Sequence, residues 1–330
     1  MSGVSGLSTR PTYTTDQIWH IYKRINLPSR YRYEPGDSSR TLARSENGLA
    51  YLAALQRHCL ANVPFENLEL HYSPTKAISL DPQILFDKIV TQSRGRGGYC
   101  MENNAFFKTL LHTLGFQLYS VGARVNSAAD PSGEGQPRQS YGGFGHMLNI
   151  VNIEGEKYLV DVGFGSGGPT HPLPLKDRQV SVNIAPNQEV RLRWDAIPEN
   201  ENPDAKLWIF ERRDGQEKPW IPTYCFSDAV EFLPGDFEIM NHATSTRRTS
   251  FFTYKIICAK FVLSEDGEEL VGTVVLFGSN LHRRKRGTKE VIKEQIESEK
   301  ERVDLLEEHL GVSLSDSQRA GIRGMVTALR

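Results

Sequence analysis

Two apolar runs, 146–153 and 157–164, are joined at a turn signal, Glu154-Gly155, and no other feature constrains the fold of this chain as tightly. Runs of strand length joined by two residues read as a hairpin. A two-residue turn makes Ile153 face Glu156, which puts Asp161 opposite Leu148. Side chains alternate along a strand, so Leu148 and His146 share a face. Asp161 and His146 become diagonal neighbours, with Cβ atoms roughly 7 Å apart and a carboxylate–imidazole hydrogen bond within reach. One more residue in the turn would send them to opposite faces. A charged Asp161 between Val160 and Val162 is otherwise a poor strand residue.

Upstream the chain reads as helix. Ile18, Trp19, Tyr22 and Ile25 recur at helical spacing over 16–27. Ser45 and Glu46 introduce a second helix with Leu49, Leu52, Ala53, Gln56 and Leu60 on one face. Asp81-Pro82 reads as an N-cap with proline at the first helical position, opening a helix to about Val90. A fourth helix opens near Cys100, buries Phe106, Phe107, Leu110, Leu111 and Leu114, and stops at Gly115. Downstream the texture is β. A strand is predicted over 119–125, then short runs at 180–184, 190–194 and 207–210 of a sandwich or barrel. A further hairpin joins 251–263 to 269–277 over Glu265-Asp266-Gly267. The stretch 289–310 reads as one charged helix, packing on its own domain through Val291, Ile292, Ile296, Val303, Leu306 and Leu310. Residues 1–15 read as a frayed lead, and 126–141, rich in Gly, Pro, Ser and Asp, as a long surface loop leading into His146. At 330 residues the chain calls for two or three domains.

Charge and cysteine usage remove several functions. With 39 basic and 40 acidic side chains the formal net charge is −1, so the basic excess of a nucleic-acid binder is missing. The cysteines at 59, 100, 225 and 258 form no CxxC pair, which speaks for reduced thiols and against a zinc ribbon, a redox pair or any other metal site. The lead lacks the apolar core of a signal peptide and no run reaches membrane-span length, so a cytoplasmic protein without a membrane partner is expected. Gly163-Phe164-Gly165-Ser166-Gly167-Gly168 fits GxGxxG after a strand, but Pro169, Pro172 and Pro174 leave no helix to receive a pyrophosphate. The basic run His282-Arg283-Arg284-Lys285-Arg286 reads as a solvated turn rather than a site for CoA phosphates or a localisation signal.

Cys100 follows Arg94-Gly95-Arg96-Gly97-Gly98-Tyr99 and opens a strongly patterned helix. Glycines permit a sharp turn there, and a helix N-terminus puts positive potential on the sulfur, the setting of reactive thiols. A lone cysteine at a helix start is more often inert, and a lone histidine more often a core residue. Together with the His146–Asp161 pair, however, Cys100 makes a Cys–His–Asp triad, in which the carboxylate fixes the imidazole tautomer and supports its charge.

These residues also carry a family resemblance. The segment Arg96-Gly97-Gly98-Tyr99-Cys100-Met101-Glu102-Asn103-Asn104 resembles the nucleophile motif of the arylamine N-acetyltransferases. Val63-Pro64-Phe65-Glu66-Asn67-Leu68 resembles that family's upstream signature, and Gly145-His146-Met147-Leu148-Asn149-Ile150-Val151 and Val160-Asp161-Val162-Gly163-Phe164-Gly165 match its His and Asp segments in order. Phe237-Glu238-Ile239-Met240-Asn241 and Ser250-Phe251-Phe252-Thr253 are similar to a later block, so the resemblance runs from about 60 to 260.

The resemblance implies an α+β multidomain fold: a helical bundle over 1–115 carrying the nucleophile, a β-barrel over 116–225 carrying His146 and Asp161, and an α/β lid over 226–330. It implies a ping-pong reaction with acyl-CoA as co-substrate and no tightly bound cofactor. Cys100 would take the acyl group as a thioester, and an arylamine or arylhydrazine would remove it, His146 serving as base and acid. Arg96 and Glu66 would form a buried ion pair under the nucleophile loop; Phe164 and Ser166 would line the acceptor pocket; Gly142, Gly143 and Ser250 would meet CoA. A detoxifying enzyme, monomeric or weakly dimeric, is the corresponding expectation. The long 126–141 loop and charged C-terminal region are similar to fungal members, some of which prefer malonyl-CoA to acetyl-CoA. Acetyl-CoA is the first expectation for the donor and malonyl-CoA the alternative. No residue identifies itself from sequence as the partner of a malonyl carboxylate. A transglutaminase-like or papain-like hydrolase shares the Cys, His, Asp order, and an inactive binding module could keep the fold. The Arg-Gly-Gly-Tyr-Cys motif speaks against the first and the complete triad against the second.

Overall fold

A computed structural model of the chain describes residues 10–129, 140–184 and 186–330. The N-terminal lead to Thr9 and the 130–139 part of the long loop lie outside the described residues. What is described of that loop is its neck: the short turn Ser127–Ala129, closed where Ser127 N donates to Ser140 O at 2.9 Å.

Local signals set the helices. Thr14 caps Thr15–Arg24 by accepting from Gln17 N, and Gln17 returns the bond to Thr14 N. Asp81 caps Pro82–Phe86 by accepting from Gln83 N and Ile84 N. Gly48–Asn62 and Cys100–Leu114 are buried nearly all round, as befits central helices. Their apolar side chains meet Ile18, Ile21, Leu85 and Ile89 in one core. Gly115, at φ 95°, ends the nucleophile helix in the left-handed conformation glycine accepts.

Two antiparallel sheets follow. The larger has eight strands in the order Leu173–Pro174, Glu156–Val160, Tyr141–Ile153, Gln117–Asn126, Ile221–Phe226, Lys206–Asp214, Gln188–Ala196, Ser181–Val182. Its two edges are tied together beyond the ladder: Thr170 N donates to Asn183 Oδ1 at 2.7 Å, and Asn183 Nδ2 to Gly168 O at 3.0 Å. The central hairpin shows why its register is strict. Ile153 pairs with Glu156 across Glu154-Gly155, both at positive φ. Val151, Ile153 and Val160 then face the helical core, while Leu148, Ile150 and Leu159 face the sheet's own interior with Phe210 and Tyr224. The smaller sheet orders Phe65–Glu66, Ile257–Leu263, Leu270–Phe277, Asn280–Lys285 and Thr288–Lys293. Phe65 pairs with Ala259, so a two-residue strand from the helical third edges the C-terminal sheet.

Four sequence expectations are corrected. The strand after Glu154-Gly155 ends at Val160, not Phe164, because the backbone N–H groups of Val162 and Gly163 donate to the Asn104 and Asp161 side chains. The strand expected from 251 begins at Ile257, after a 3₁₀ turn at Phe251–Thr253. The basic run is not a solvated turn: His282 to Lys285 lie in a strand, and only Arg286 turns. The stretch 289–310 is not one helix. Arg286 and Gly287, at φ 47° and 82°, form a two-residue turn into the strand Thr288–Lys293, and a helix starts only after the Ser298 cap, at Glu299–Leu305. Ile296, Val303, Leu306 and Leu310 are buried against the small sheet, but Val291 is exposed.

Two elements had no clear sequence signal. Ile221–Phe226 contains Pro222, which forbids an ordinary central strand. The proline is tolerated because the register slips beside it and the Gln117–Asn126 strand pairs only with Tyr224 to Phe226. Pro234–Thr246 is a helix whose Asp236 carboxylate accepts from Leu233 N at 2.7 Å, a start obscured by Gly235. Among the described residues no helix is long and apolar enough to cross a membrane.

Candidate active site

The glycine-rich approach to Cys100 is a close-packed crossing. Phe65 and Gly98 form a parallel bridge, and a Cβ on Gly97 would lie 2.0 Å from Pro64 O. Beneath it lies a buried charge network. Arg96 Nε donates to Glu66 Oε1 at 2.9 Å and Nη2 reaches Glu69 Oε2 at 3.2 Å. Glu66 also accepts from Leu68 N and Gly97 N, at 2.7 and 3.3 Å. Lys88 Nζ donates to Glu102 Oε1 at 2.7 Å, while Glu102 Oε2 accepts from Tyr99 N at 3.0 Å and caps the nucleophile helix. Burial alone would raise the Glu66 carboxyl, but Arg96 and Lys88 outweigh it and hold Glu66 below its usual range. Glu102, with one cation to offset its burial and Glu66 nearby, is pushed up instead.

This network predicts a stability effect. Arg96→Met should cost about 3–5 kcal/mol in urea unfolding, because Glu66 would keep only Lys88, at 3.8 Å, as a counter-charge in a fully buried position. A loss under about 1 kcal/mol would show that solvent already screens the pair.

Cys100 is buried at 4% exposure, its Sγ 3.6 Å from Gly145 O. His146 Nε2 sits 2.7 Å from Asp161 Oδ2, and Cys100 lies close enough to the imidazole to act on its charge. With Nε2 on the carboxylate, Nδ1 is the ring nitrogen left to exchange a proton with sulfur. Burial alone would lower the imidazole's pKa; Asp161, with Cys100, overcomes this and pushes it up to about 10. Asp161 is held below its ordinary value despite burial, by His146, by Asn104 Nδ2 at 2.9 Å and by Gly163 N at 2.8 Å. Gly163 packs on Cys100 itself, since a Cβ there would lie 2.8 Å from Cys100 Cα.

Asn104 was not singled out from the sequence. Its amide donates to Met147 O at 2.7 Å and to Asp161, and its Oδ1 accepts from Val162 N at 3.1 Å. It thereby locks the nucleophile helix to both strands of the hairpin. Its signal was available: a polar residue four places after Cys100 lies on the same helix face. Tyr224 was also missed. Its ring lies 5.1 Å from that of His146 and 4.9 Å from Phe164, and Phe164 meets His146 edge-on at 4.9 Å. Burial, with Asp161 nearby, keeps the Tyr224 phenol far above its usual pKa, hence neutral.

The structure therefore brings Cys100, His146, Asp161 and Phe164 together. Ser166 follows in the turn Gly165–Gly167, half-buried. Gly142 and Gly143 lie exposed at the start of the His146 strand, where a Cβ would meet nothing closer than 3.8 Å. Openness rather than crowding marks them. Ser250 precedes Phe251–Thr253, whose Phe252 ring packs 5.5 Å from Tyr99, next to the nucleophile. All four cysteines are free thiols.

On this α+β fold a buried thiol at a helix start, an imidazole beside it and a carboxylate behind the imidazole form the candidate site. The N-acetyltransferase family model matches residues 48–319. N-malonyltransferase FDB2 of Fusarium pseudograminearum is 40% identical over 324 residues, covering 94% of this chain and 93% of its own. Human arylamine N-acetyltransferase 1 is 29% identical over 230 residues, 66% of this chain and 72% of the relative. Among solved structures, arylamine N-acetyltransferase from Salmonella typhimurium superposes with a TM-score of 0.73 at 22% identity, covering 94% of this chain and 98% of that one. The Mycobacterium marinum arylamine N-acetyltransferase in complex with CoA gives 0.71 at 24%, again over 94% and 98%. The chain belongs to the arylamine N-acetyltransferase family, and is an acyl-CoA-dependent N-acyltransferase.

Proposed function

We propose that the chain carries an acyl group from CoA to an arylamine or arylhydrazine nitrogen through a thioester on Cys100, with malonyl-CoA as the donor. The observation that carries the chemistry is the buried His146–Asp161 hydrogen bond set beside the buried Cys100 thiol. Cys100 attacks the thioester carbonyl as a thiolate, its proton already held on the His146 imidazolium. The tetrahedral intermediate expels CoA, whose sulfur receives that proton back. The amine then attacks the acyl-enzyme, His146 accepts its proton, and Cys100 leaves. Asp161 orients the ring and offsets its charge through both halves. Backbone N–H groups at the start of the Cys100 helix supply the oxyanion site.

In this reading Phe164 and Ser166 line the acceptor pocket, and Gly142, Gly143 and Ser250 meet CoA. Arg96 and Glu66 hold the nucleophile loop. The chain divides at about 115 and 225 into bundle, barrel and lid, and works in the cytoplasm. Malonyl-CoA is placed ahead of acetyl-CoA because the relative named N-malonyltransferase is 40% identical over 94% of the chain. Acetyl-CoA stands second, supported by the relatives named N-acetyltransferase. Offering acetyl-, propionyl- and malonyl-CoA in parallel with one arylamine decides between them. A malonyl preference of tenfold or more in kcat/KM is expected; an acetyl preference would reverse the order, and no transfer from any donor would end the reading.

A further inference from the structure

The larger sheet sorts its arginines by face. On the outer face Arg191 and Arg193 both bind Glu211, at 2.7 and 3.0 Å, and Arg213 binds Glu189 at 2.6 Å. Arg212 points the other way. It pairs across the ladder with Val190 and shares its face with Phe210, both in the sheet's buried interior. There it has no hydrogen bond or ion pair with any described residue, and its Nε is buried without a partner. The neighbouring carboxylate, Asp214, attracts Arg212 without bonding it: its hydrogen bonds come from Gln188 Nε2 at 2.8 Å and Arg284 at 3.3 Å.

The surroundings of Arg212 lead back to the nucleophile. A Cβ built on Gly167 would lie 3.9 Å from Arg212 Nε and 3.7 Å from the Phe164 ring, so the guanidinium and that ring flank the same glycine. Phe210 stacks on Tyr224 at 4.9 Å, and Tyr224 packs against both Phe164 and His146. A guanidinium whose Nε is buried without a hydrogen-bond partner is costly unless a ligand supplies one, and a carboxylate matches its fork.

We infer that Arg212 is the specificity-determining cation of this enzyme, receiving the carboxylate of a substrate beyond the Phe164 ring. The inference rests on the thioester chemistry proposed above. Two substrates can bring that carboxylate: the malonyl group of the donor, or an arylamine bearing an acid substituent.

The test is a set of kcat/KM ratios for wild type, Arg212→Gln and Arg212→Lys. Donor recognition is read as the malonyl-CoA to acetyl-CoA ratio with aniline. Acceptor recognition is read as the 4-aminobenzoate to aniline ratio with acetyl-CoA. A tenfold or larger fall in one ratio in Arg212→Gln, partly recovered in Arg212→Lys, is expected and names the source. Arg213→Gln, whose partner is Glu189, should leave both ratios within twofold. If both ratios stay within twofold in Arg212→Gln, or all rates fall in proportion, the inference is overturned. Arg212→Met, which keeps the apolar stem, serves the same comparison if the glutamine variant does not fold. Mass spectrometry of wild-type Cys100 after acyl-CoA alone separates the two claims, because an absent adduct rejects the thioester reading whatever Arg212 does.

Discussion

Cys100→Ala will abolish acyl transfer, by on the order of 10⁴-fold or more, and will remove the acyl adduct that wild type forms with acyl-CoA alone. Loss of the nucleophile takes both half-reactions, since no other thiol can substitute. Cys59 and Cys225 are pushed up to about 12 by burial, and Cys258 further still. The readouts are turnover and the mass of the tryptic peptide containing position 100. Surviving turnover in a verified Cys100→Ala preparation would mean a direct, ternary transfer. Cys100→Ser should be nearly as inactive, because a hydroxyl is a far weaker nucleophile.

Asp161→Asn is expected to cost about 10⁴-fold in kcat while the protein stays folded. The reason is a tautomer. Oδ1 of Asp161 accepts from Asn104 and Gly163, and a carboxamide oxygen can keep both bonds. Its NH₂ then faces His146 Nε2, where a carboxylate oxygen stood at 2.7 Å. Nε2 must accept, so the ring proton moves to Nδ1, the nitrogen that should take the proton from sulfur. Stability carries a second signature. The imidazolium held up to about 10 contributes stability that is full below its unfolded pKa of about 6.5 and is lost as pH climbs through about 10. The lowered Asp161 carboxyl contributes stability that is present above its unfolded pKa of about 3.9 and is lost as pH falls. The variant's deficit should therefore be greatest between about pH 4 and 6.5 and shrink on both sides. A deficit independent of pH would contradict the ion pair, and kcat within tenfold of wild type would break the triad.

The fold was legible wherever the signal was local. Thr14, Asp81 and Gly115 mark helix ends because a cap's partners lie within four residues. The misread stretch 289–310 shows the limit. Val291, Ile292 and Ile296 satisfy a helical period, yet Arg286 and Gly287 turn the chain into a strand whose partner, Asn280–Lys285, a helical period does not register. Pro222 hid a strand because its tolerance depends on which neighbour needs an N–H.

The site divides in the same way. Glu154-Gly155 and a period of two were sufficient to place His146 beside Asp161, since a two-residue turn leaves no freedom in register. The run before Cys100 likewise announced a turn into a helix that starts at the thiol, because glycine spacing and a helix start are read along one segment. Contacts between distant segments were beyond such reading. That Asn104 locks the hairpin, that Gly163 exists to let Cys100 Cα approach, and that Phe65 edges a sheet completed by Ala259 each depend on chain parts brought together only by the core. Arg212 is the sharpest instance: beside Arg213 in sequence, it differs from it only in the face of the strand it occupies, and only the folded sheet leaves one paired with Glu189 and the other with its Nε buried and unbonded. The sequence determined that His146 meets Asp161 and that Cys100 opens a helix, because those are set by local turns and strand period; the tertiary structure decided what surrounds them, because burial and partnership belong to packing between segments.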